Sequence, residues 1–132
     1  MKIKIAYRCS LIGAILLIIA ALARALSINN LVVAASTGDI SRHYSASVLV
    51  DWSLSSVLLM LTGIWLLFLL RDLKRGLRRA WLQAVIIGLA LTVFGSSFWY
   101  RYPSSFHLPL FLLMGLIILI PLLIWGNQFN NK

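Results

Sequence analysis

The side chains of this sequence that are able to do chemistry concentrate in two short polar stretches. One stretch opens an apolar run near residue 51, and the other lies between two later apolar runs. Together they supply carboxylates, guanidinium groups, imidazoles and aromatic rings, which are the groups of a ligand-binding or acid–base site. The candidate residues are Asp39, Arg42, His43, Asp51, Trp52, Tyr100, Arg101, Tyr102 and His107.

The same residue types also occur at a membrane–water interface with no binding role. Trp and Tyr are enriched at that interface, and arginine side chains extend from helix ends toward the headgroups. In this interpretation Asp51 and Arg101 form a surface ion pair, which contributes little to stability. The interfacial interpretation is the simpler one, because residues of these types are expected at an interface anyway.

Catalytic and metal-binding patterns are missing from the sequence. Bis-histidine haem needs one histidine within each of two facing helices, whereas His43 and His107 flank the apolar runs. The single cysteine, Cys9, allows neither an internal disulfide nor a cysteine cluster. No H-x-x-x-H or G-x-S-x-G segment is present. We therefore predict no metal and no cofactor, and the sequence leaves open whether the protein is an enzyme.

The composition of the chain indicates the class of protein that carries these candidate residues. The chain has 132 residues, of which 61% are hydrophobic and 11% are charged, and its mean hydropathy is +0.96. A soluble domain this small cannot bury so much apolar surface, so we predict an all-α membrane protein. The net charge of +9 comes from cations at the ends of apolar runs. This placement predicts anionic lipid headgroups as partners, and no nucleic acid.

Four apolar runs predict four transmembrane helices in an up-down bundle that forms a single domain over residues 1–132. The predicted spans cover about residues 5–26, 47–70, 80–100 and 108–125. The short apolar piece Leu31–Ala35 cannot span a bilayer and is expected to lie in the interface or to pack on the rim of the bundle. If the Ala23-Arg24-Ala25 pattern marks a cleaved signal peptide, residues 1–25 are removed and three spans remain.

The orientation follows from residues 71–79, which we call the basic segment. It holds five of the twelve basic residues between the second and third spans. Short loops rich in Lys and Arg stay in the cytoplasm, so both termini are predicted to be cytoplasmic as well. Nine basic residues then lie inside and three, Arg24, Arg42 and Arg101, lie outside. The expected location is a bacterial inner membrane.

The third span carries a stripe of small side chains at four-residue spacing. Its members are Ala84, Gly88, Thr92 and Ser96. Small residues on one face allow a neighbouring helix to approach closely, which stabilises helix pairs in lipid. We interpret the stripe as a packing face rather than a site.

These features favour a small integral inner-membrane protein without catalytic activity of its own. It is expected to be an accessory or partner-binding subunit of a membrane complex, or a lipid-binding protein, with membrane lipids and another protein or a second copy as partners. The span centres lack ionisable residues, which argues against an ion-coupled transporter. One alternative is a membrane enzyme or a lipid- or quinone-handling protein with its site at the outer face. Another is an immunity-type protein that blocks a pore-forming toxin.

Overall fold

The structure is a computed structural model that describes residues 2–38, 42–101 and 107–129. The side chains of Lys2, Arg42, His43, Phe98, His107 and Leu108 are not part of that description. The described chain is helical and has no strands, which confirms the all-α prediction. Its helices are α1 (Lys2–Leu26), α2 (Ile28–Thr37), α3 (Arg42–Lys74), α4 (Arg78–Arg101) and α5 (His107–Ile124), followed by a 3-10 turn at Gly126–Gln128.

Three stretches of the described chain are long and apolar enough to cross a membrane: Ile3–Thr37, Tyr44–Lys74 and Arg78–Arg101. They indicate an integral membrane protein. A shorter apolar stretch, Pro109–Ile124, follows them.

Charged residues bound an uncharged segment of bilayer length in each of the three long helices. The pairs are Arg8 and Arg24, Asp51 and Arg71, and Arg79 and Arg101. At the helical rise these pairs lie about 24, 30 and 33 Å apart along the axis, close to the ~30 Å thickness of the hydrocarbon core. Each helix can therefore bury its apolar middle in lipid while its charges reach the two interfaces.

The long helices run antiparallel to their neighbours, and α1 packs most extensively on α3, as α4 does on α5. Gly63 of α3 lies against Ala14 and Leu17 of α1, and Gly13 of α1 lies against Ile118 of α5. Helices α3 and α4 are joined by a tight turn, yet they contact each other less than α1 contacts α3 or α4 contacts α5. A groove therefore remains between α3 and α4.

Helices α4 and α5 approach each other at glycines. A Cβ atom added to Gly95 would lie 2.8 Å from the Cα of Leu112, and one added to Gly115 would lie 2.6 Å from the backbone nitrogen of Thr92. Both distances are shorter than real contacts allow, so only glycine permits this backbone separation.

The small-residue stripe of α4 is partly enclosed by this packing. Ala84 is fully buried, and Gly88 lies beside Leu119 of α5. Thr92 is half-buried and donates its hydroxyl to the carbonyl of Gly88 at 2.8 Å. Ser96 is exposed and bonds only to its own helix, at the carbonyl of Val93.

The turn between α3 and α4 is built on Gly76, whose φ of 75° lies in the left-handed region. The N–H of Gly76 donates to the carbonyl of Leu73, and that of Leu77 donates to Asp72, which is the Schellman pattern of helix ends. Gly76 therefore ends α3. Gly76 lies near Ile3 and Gln128, so both ends of the described chain meet this turn. We call this end of the protein the basic end, and the opposite one the Arg24 end.

The structure differs from the expectation in one additional helix and in the start of another. The polar stretch after α1 forms the ten-residue helix α2, and the residue that follows it, Gly38, caps its end with a φ of 85°. Helix α3 begins at Arg42 rather than at residue 47, and its 33 residues extend about 50 Å. Hydropathy marks the part of a helix that lies in lipid, whereas the backbone continues as a helix through polar residues at both interfaces.

Candidate ligand site at the Arg24 end

The structure describes side chains for only four of the nine residues predicted to form a polar cluster. Asp39 and Tyr102 lie outside the described residues, and the side chains of Arg42, His43 and His107 do so too. Asp51, Tyr100 and Arg101 are exposed, and no ion pair joins Asp51 to Arg101 in the described chain. Of these four side chains, Trp52 has the most extensive contacts, and they lead to a residue outside the predicted cluster.

Trp52 holds the guanidinium group of Arg24. Antiparallel packing brings the last turn of α1 beside the third turn of α3, so the guanidinium carbon lies 3.7 Å from the centroid of the Trp52 ring. A cation over an indole face gains about 0.5–2 kcal/mol, more when water is excluded. Arg24 Nε also donates to Ser55 Oγ at 2.8 Å. The side chain is thus fixed both by a ring face and by a hydrogen bond.

The indole N–H of Trp52 caps the end of α1. It donates to the Arg24 carbonyl at 2.9 Å and lies 3.0 Å from Ser27 Oγ. The Ser27 hydroxyl donates to the same carbonyl at 2.7 Å. The last carbonyls of a helix have no helical donor, and in a membrane an unsatisfied one is costly. Trp52 therefore contacts Arg24 twice: its indole N–H donates to the Arg24 carbonyl, and its ring lies against the guanidinium group.

The hydroxyl of Ser55 is oriented to accept a hydrogen bond from Arg24. Its own proton goes to the carbonyl of Trp52 at 2.9 Å, so an oxygen lone pair remains for the Arg24 Nε–H. Ser56 donates to the same Trp52 carbonyl, also at 2.9 Å. Two successive serines of α3 thus bind one carbonyl, and one of them positions the arginine.

No acid neutralises Arg24 in the described chain. The sequence has three acids: Asp51 is exposed and unpaired, Asp72 lies at the basic end, and Asp39 lies outside the described residues. An arginine carries five N–H donors, and only the Nε–H has a described protein acceptor. Its four terminal N–H groups are therefore available to an anion.

A cavity of about 220 Å³ adjoins these donors. Apolar side chains of two helices line most of it: Ala20 and Ala23 of α1, and Leu110, Phe111 and Met114 of α5. Arg24, Ser27 and Trp52 supply the polar side. One fixed cation beside an apolar cavity suits a molecule with an anionic head and an apolar body. None of the described residues that line the cavity carries a carboxylate or an imidazole group.

No protein-family model, curated protein or solved structure matches this chain. Its function must therefore be inferred from the geometry of its own residues.

Sequence reasoning missed Arg24 as a site residue. It counted Arg24 as one of three outer charges and as the middle residue of a cleavage pattern. One signal was present: Arg24 and Trp52 each lie at the same end of an apolar run, so antiparallel neighbours place them at the same depth. The charge count alone did not show that Arg24 would have no acid partner among the described residues.

Proposed function

We propose that the protein is a lipid-binding membrane protein without catalytic activity, and that it holds an anionic amphiphile at Arg24. In this proposal α1, α3, α4 and α5 form four transmembrane spans of a bacterial inner-membrane protein. The observation that carries the proposal is a half-buried guanidinium group that is fixed by Trp52 and Ser55 and has no acid partner in the described chain.

An unpaired cation near the hydrocarbon boundary is costly, and it is usually relieved when the side chain extends toward water. The contacts with Trp52 and Ser55 hold Arg24 back from such extension. A site that is already ordered loses little conformational entropy when an anion binds, so more of the charge-assisted bonding contributes to affinity. An arginine fixed in this way is better explained by an anionic ligand than by interfacial anchoring.

The ligand must combine a phosphate or a carboxylate with an apolar body. The anionic group would bind the terminal N–H groups of Arg24, and the apolar part would contact Phe111 and Met114. The lipid leaflet at the Arg24 end is the nearest source of such molecules. The excess of basic residues at the opposite end makes this the periplasmic leaflet in our proposal.

We expect Arg24→Gln to weaken binding of dodecyl phosphate to the protein in a neutral detergent. Charge-assisted hydrogen bonds contribute about 1.5–3 kcal/mol, which corresponds to a loss of roughly ten- to hundred-fold in affinity. Isothermal titration would measure the loss, with dodecanoate titrated separately to compare a carboxylate with a phosphate. Arg101→Gln is the matched control, because it removes an exposed arginine that lies outside the cavity. Equal affinity of wild type and Arg24→Gln for both anions would contradict the proposal.

Cysteine labelling would test the proposed orientation. In a Cys9→Ser background, we expect a membrane-impermeant maleimide to label Tyr100→Cys in whole cells. Arg75→Cys should react only after permeabilisation, because the nine-to-three charge bias predicts a cytoplasmic basic segment. Both positions are exposed, so accessibility within the protein does not limit either reaction. Labelling of Arg75→Cys in intact cells would show the opposite orientation.

A further inference from the structure

A second lipid-facing feature lies at the other end of the protein, between α3 and α4. A groove of about 910 Å³ begins at the basic segment and adjoins a second cavity of about 490 Å³ deeper along the same two helices. Trp65 and Phe68 line both, so the two form one continuous groove. Its existence follows from the helix pairing, because α3 packs mainly on α1 and α4 mainly on α5.

The mouth of the groove is positively charged. Arg78 and Arg79 line it, and both are exposed and have no ion-pair partner in the described chain. Helix α4 begins at Arg78, so the positive end of its dipole faces the same region. Asp72 also lines the mouth as a half-buried hydrogen-bond acceptor. The mouth thus presents two guanidinium groups and one carboxylate, with a formal charge of +1.

Two uncharged polar groups lie deeper in the groove. Trp65 is about 10 Å from Asp72 along α3, and Gln83 is about 6 Å from Arg79 along α4. Neither the Trp65 indole N–H nor the Gln83 amide has a hydrogen-bond partner in the described chain. Such donors are costly in hydrocarbon unless an acceptor reaches them. The ester carbonyls of a phospholipid lie just below its phosphate and can accept from both.

Beyond Trp65 the groove is mostly apolar, with Leu61 and Ile64 on α3 and Ile87 on α4. Thr62 also lines it, and its hydroxyl donates to the carbonyl of Leu58 on its own helix. Leu61 lies eleven residues from Asp72, about 16 Å along the helix, which is close to half of the ~30 Å hydrocarbon core. The groove therefore has the length of one leaflet.

We propose that this groove binds one phosphatidylglycerol-type phospholipid, oriented as in the adjoining leaflet. Its phosphate binds Arg78 and Arg79, and a headgroup hydroxyl donates to Asp72. Its ester carbonyls accept from Trp65 and Gln83, and an acyl chain lies between α3 and α4. This site does not involve the Arg24 cavity and does not depend on the function proposed for it.

Native mass spectrometry of the detergent-solubilised full chain, titrated with phosphatidylglycerol, would test the assignment. We expect the double variant Arg78→Gln/Arg79→Gln to bind phosphatidylglycerol roughly ten- to hundred-fold more weakly than wild type. The matched control is Arg71→Gln/Arg75→Gln, which removes the same charge from the basic segment at residues that do not line the groove. The control should retain near wild-type binding, as should Arg24→Gln, which separates this site from the Arg24 cavity.

Acyl chains brominated near the ester group provide a second measurement that locates the lipid. They should quench tryptophan fluorescence more in wild type than in Trp65→Phe, because Trp65 lines the groove. Equal losses in the two double variants would show attraction to the net charge of the basic segment and would overturn the site. Phosphatidylcholine bound as tightly as phosphatidylglycerol would overturn the headgroup assignment. A disulfide-linked dimer formed by Phe68→Cys in a Cys9→Ser background would show that a second copy fills the groove instead.

Discussion

Gly95→Ala is expected to destabilise the protein by about 3 kcal/mol, because the added methyl group meets backbone atoms that cannot rotate away. The new Cβ would lie 2.8 Å from the Cα of Leu112 on α5. Overpacking of a core costs about 1–3 kcal/mol when side chains can adjust, and here α5 itself must move. Alanine favours a helix over glycine by about 1 kcal/mol, which is smaller than the packing loss. The midpoint of thermal denaturation in detergent would measure the difference.

The effect should be graded along α4. At Gly88 the nearest atoms to an added Cβ are 3.2 Å away, so Gly88→Ala should destabilise less than Gly95→Ala. Ala90→Leu adds more volume on an exposed face of the same helix and should leave the midpoint almost unchanged. If Gly95→Ala and Ala90→Leu gave the same midpoint as wild type, the close contact between α4 and α5 would be wrong.

The extent of the apolar helices was predictable from sequence because it depends on one strong signal. Apolar runs bounded by charges predicted spans at about 5–26, 80–100 and 108–125, and helices α1, α4 and α5 cover those ranges to within a few residues. Gly76 was also predictable, since a glycine after a basic last turn is a common helix stop. Each of these features is local, so neighbouring residues suffice to predict it.

Helix pairing was predictable only in part. The predicted up-down bundle makes consecutive spans neighbours, and α1 with α3 and α4 with α5 do pack most extensively. Helices α3 and α4 are also consecutive and are joined by a tight turn, yet they contact each other less. The contacts that decide the pairing join residues far apart in the chain, such as Gly63 with Ala14 and Gly95 with Leu112. Apolar periodicity does not distinguish a face that meets lipid from one that meets another helix, because both are hydrophobic.

Helix pairing also determined how much of the candidate site could be predicted from the sequence. Trp52 was singled out because its residue type marks an interface, but the expected partner of Asp51 was Arg101. In the structure Asp51 is exposed, and the ordered arginine is Arg24 on α1. Helix pairing decides which arginine contacts Trp52. That arginine is Arg24 because α1 packs on α3, and the charge pattern alone does not predict this contact.

Trp52→Leu is expected to destabilise the protein by about 3 kcal/mol and to weaken binding of dodecyl phosphate at Arg24. The change removes the ring face under the guanidinium group and the N–H that caps the Arg24 carbonyl. Trp52 is half-buried, so its replacement by leucine costs about 3 kcal/mol in total, of which cation–π attraction supplies about 0.5–2 kcal/mol. Thermal denaturation and the dodecyl phosphate titration would measure the two effects.

Trp52→Phe separates the two roles of the indole. Phenylalanine keeps an aromatic face but has no N–H, so the Arg24 carbonyl retains only the donor from Ser27. We expect a loss of about 1 kcal/mol in stability, with most of the ligand affinity preserved. Trp99→Leu is the control for loss of an indole at an exposed position on α4, and both properties should stay near wild type.

A double-mutant cycle with Arg24→Gln tests whether Trp52 acts through the arginine. If Trp52 supports binding only by holding the guanidinium group, the double variant Arg24→Gln/Trp52→Leu should bind dodecyl phosphate no more weakly than Arg24→Gln alone. The coupling energy in stability should be about 1–2 kcal/mol, since the two groups are in direct contact. Additive losses in affinity would instead mean that Trp52 contacts the ligand itself, because the arginine would then no longer mediate its effect.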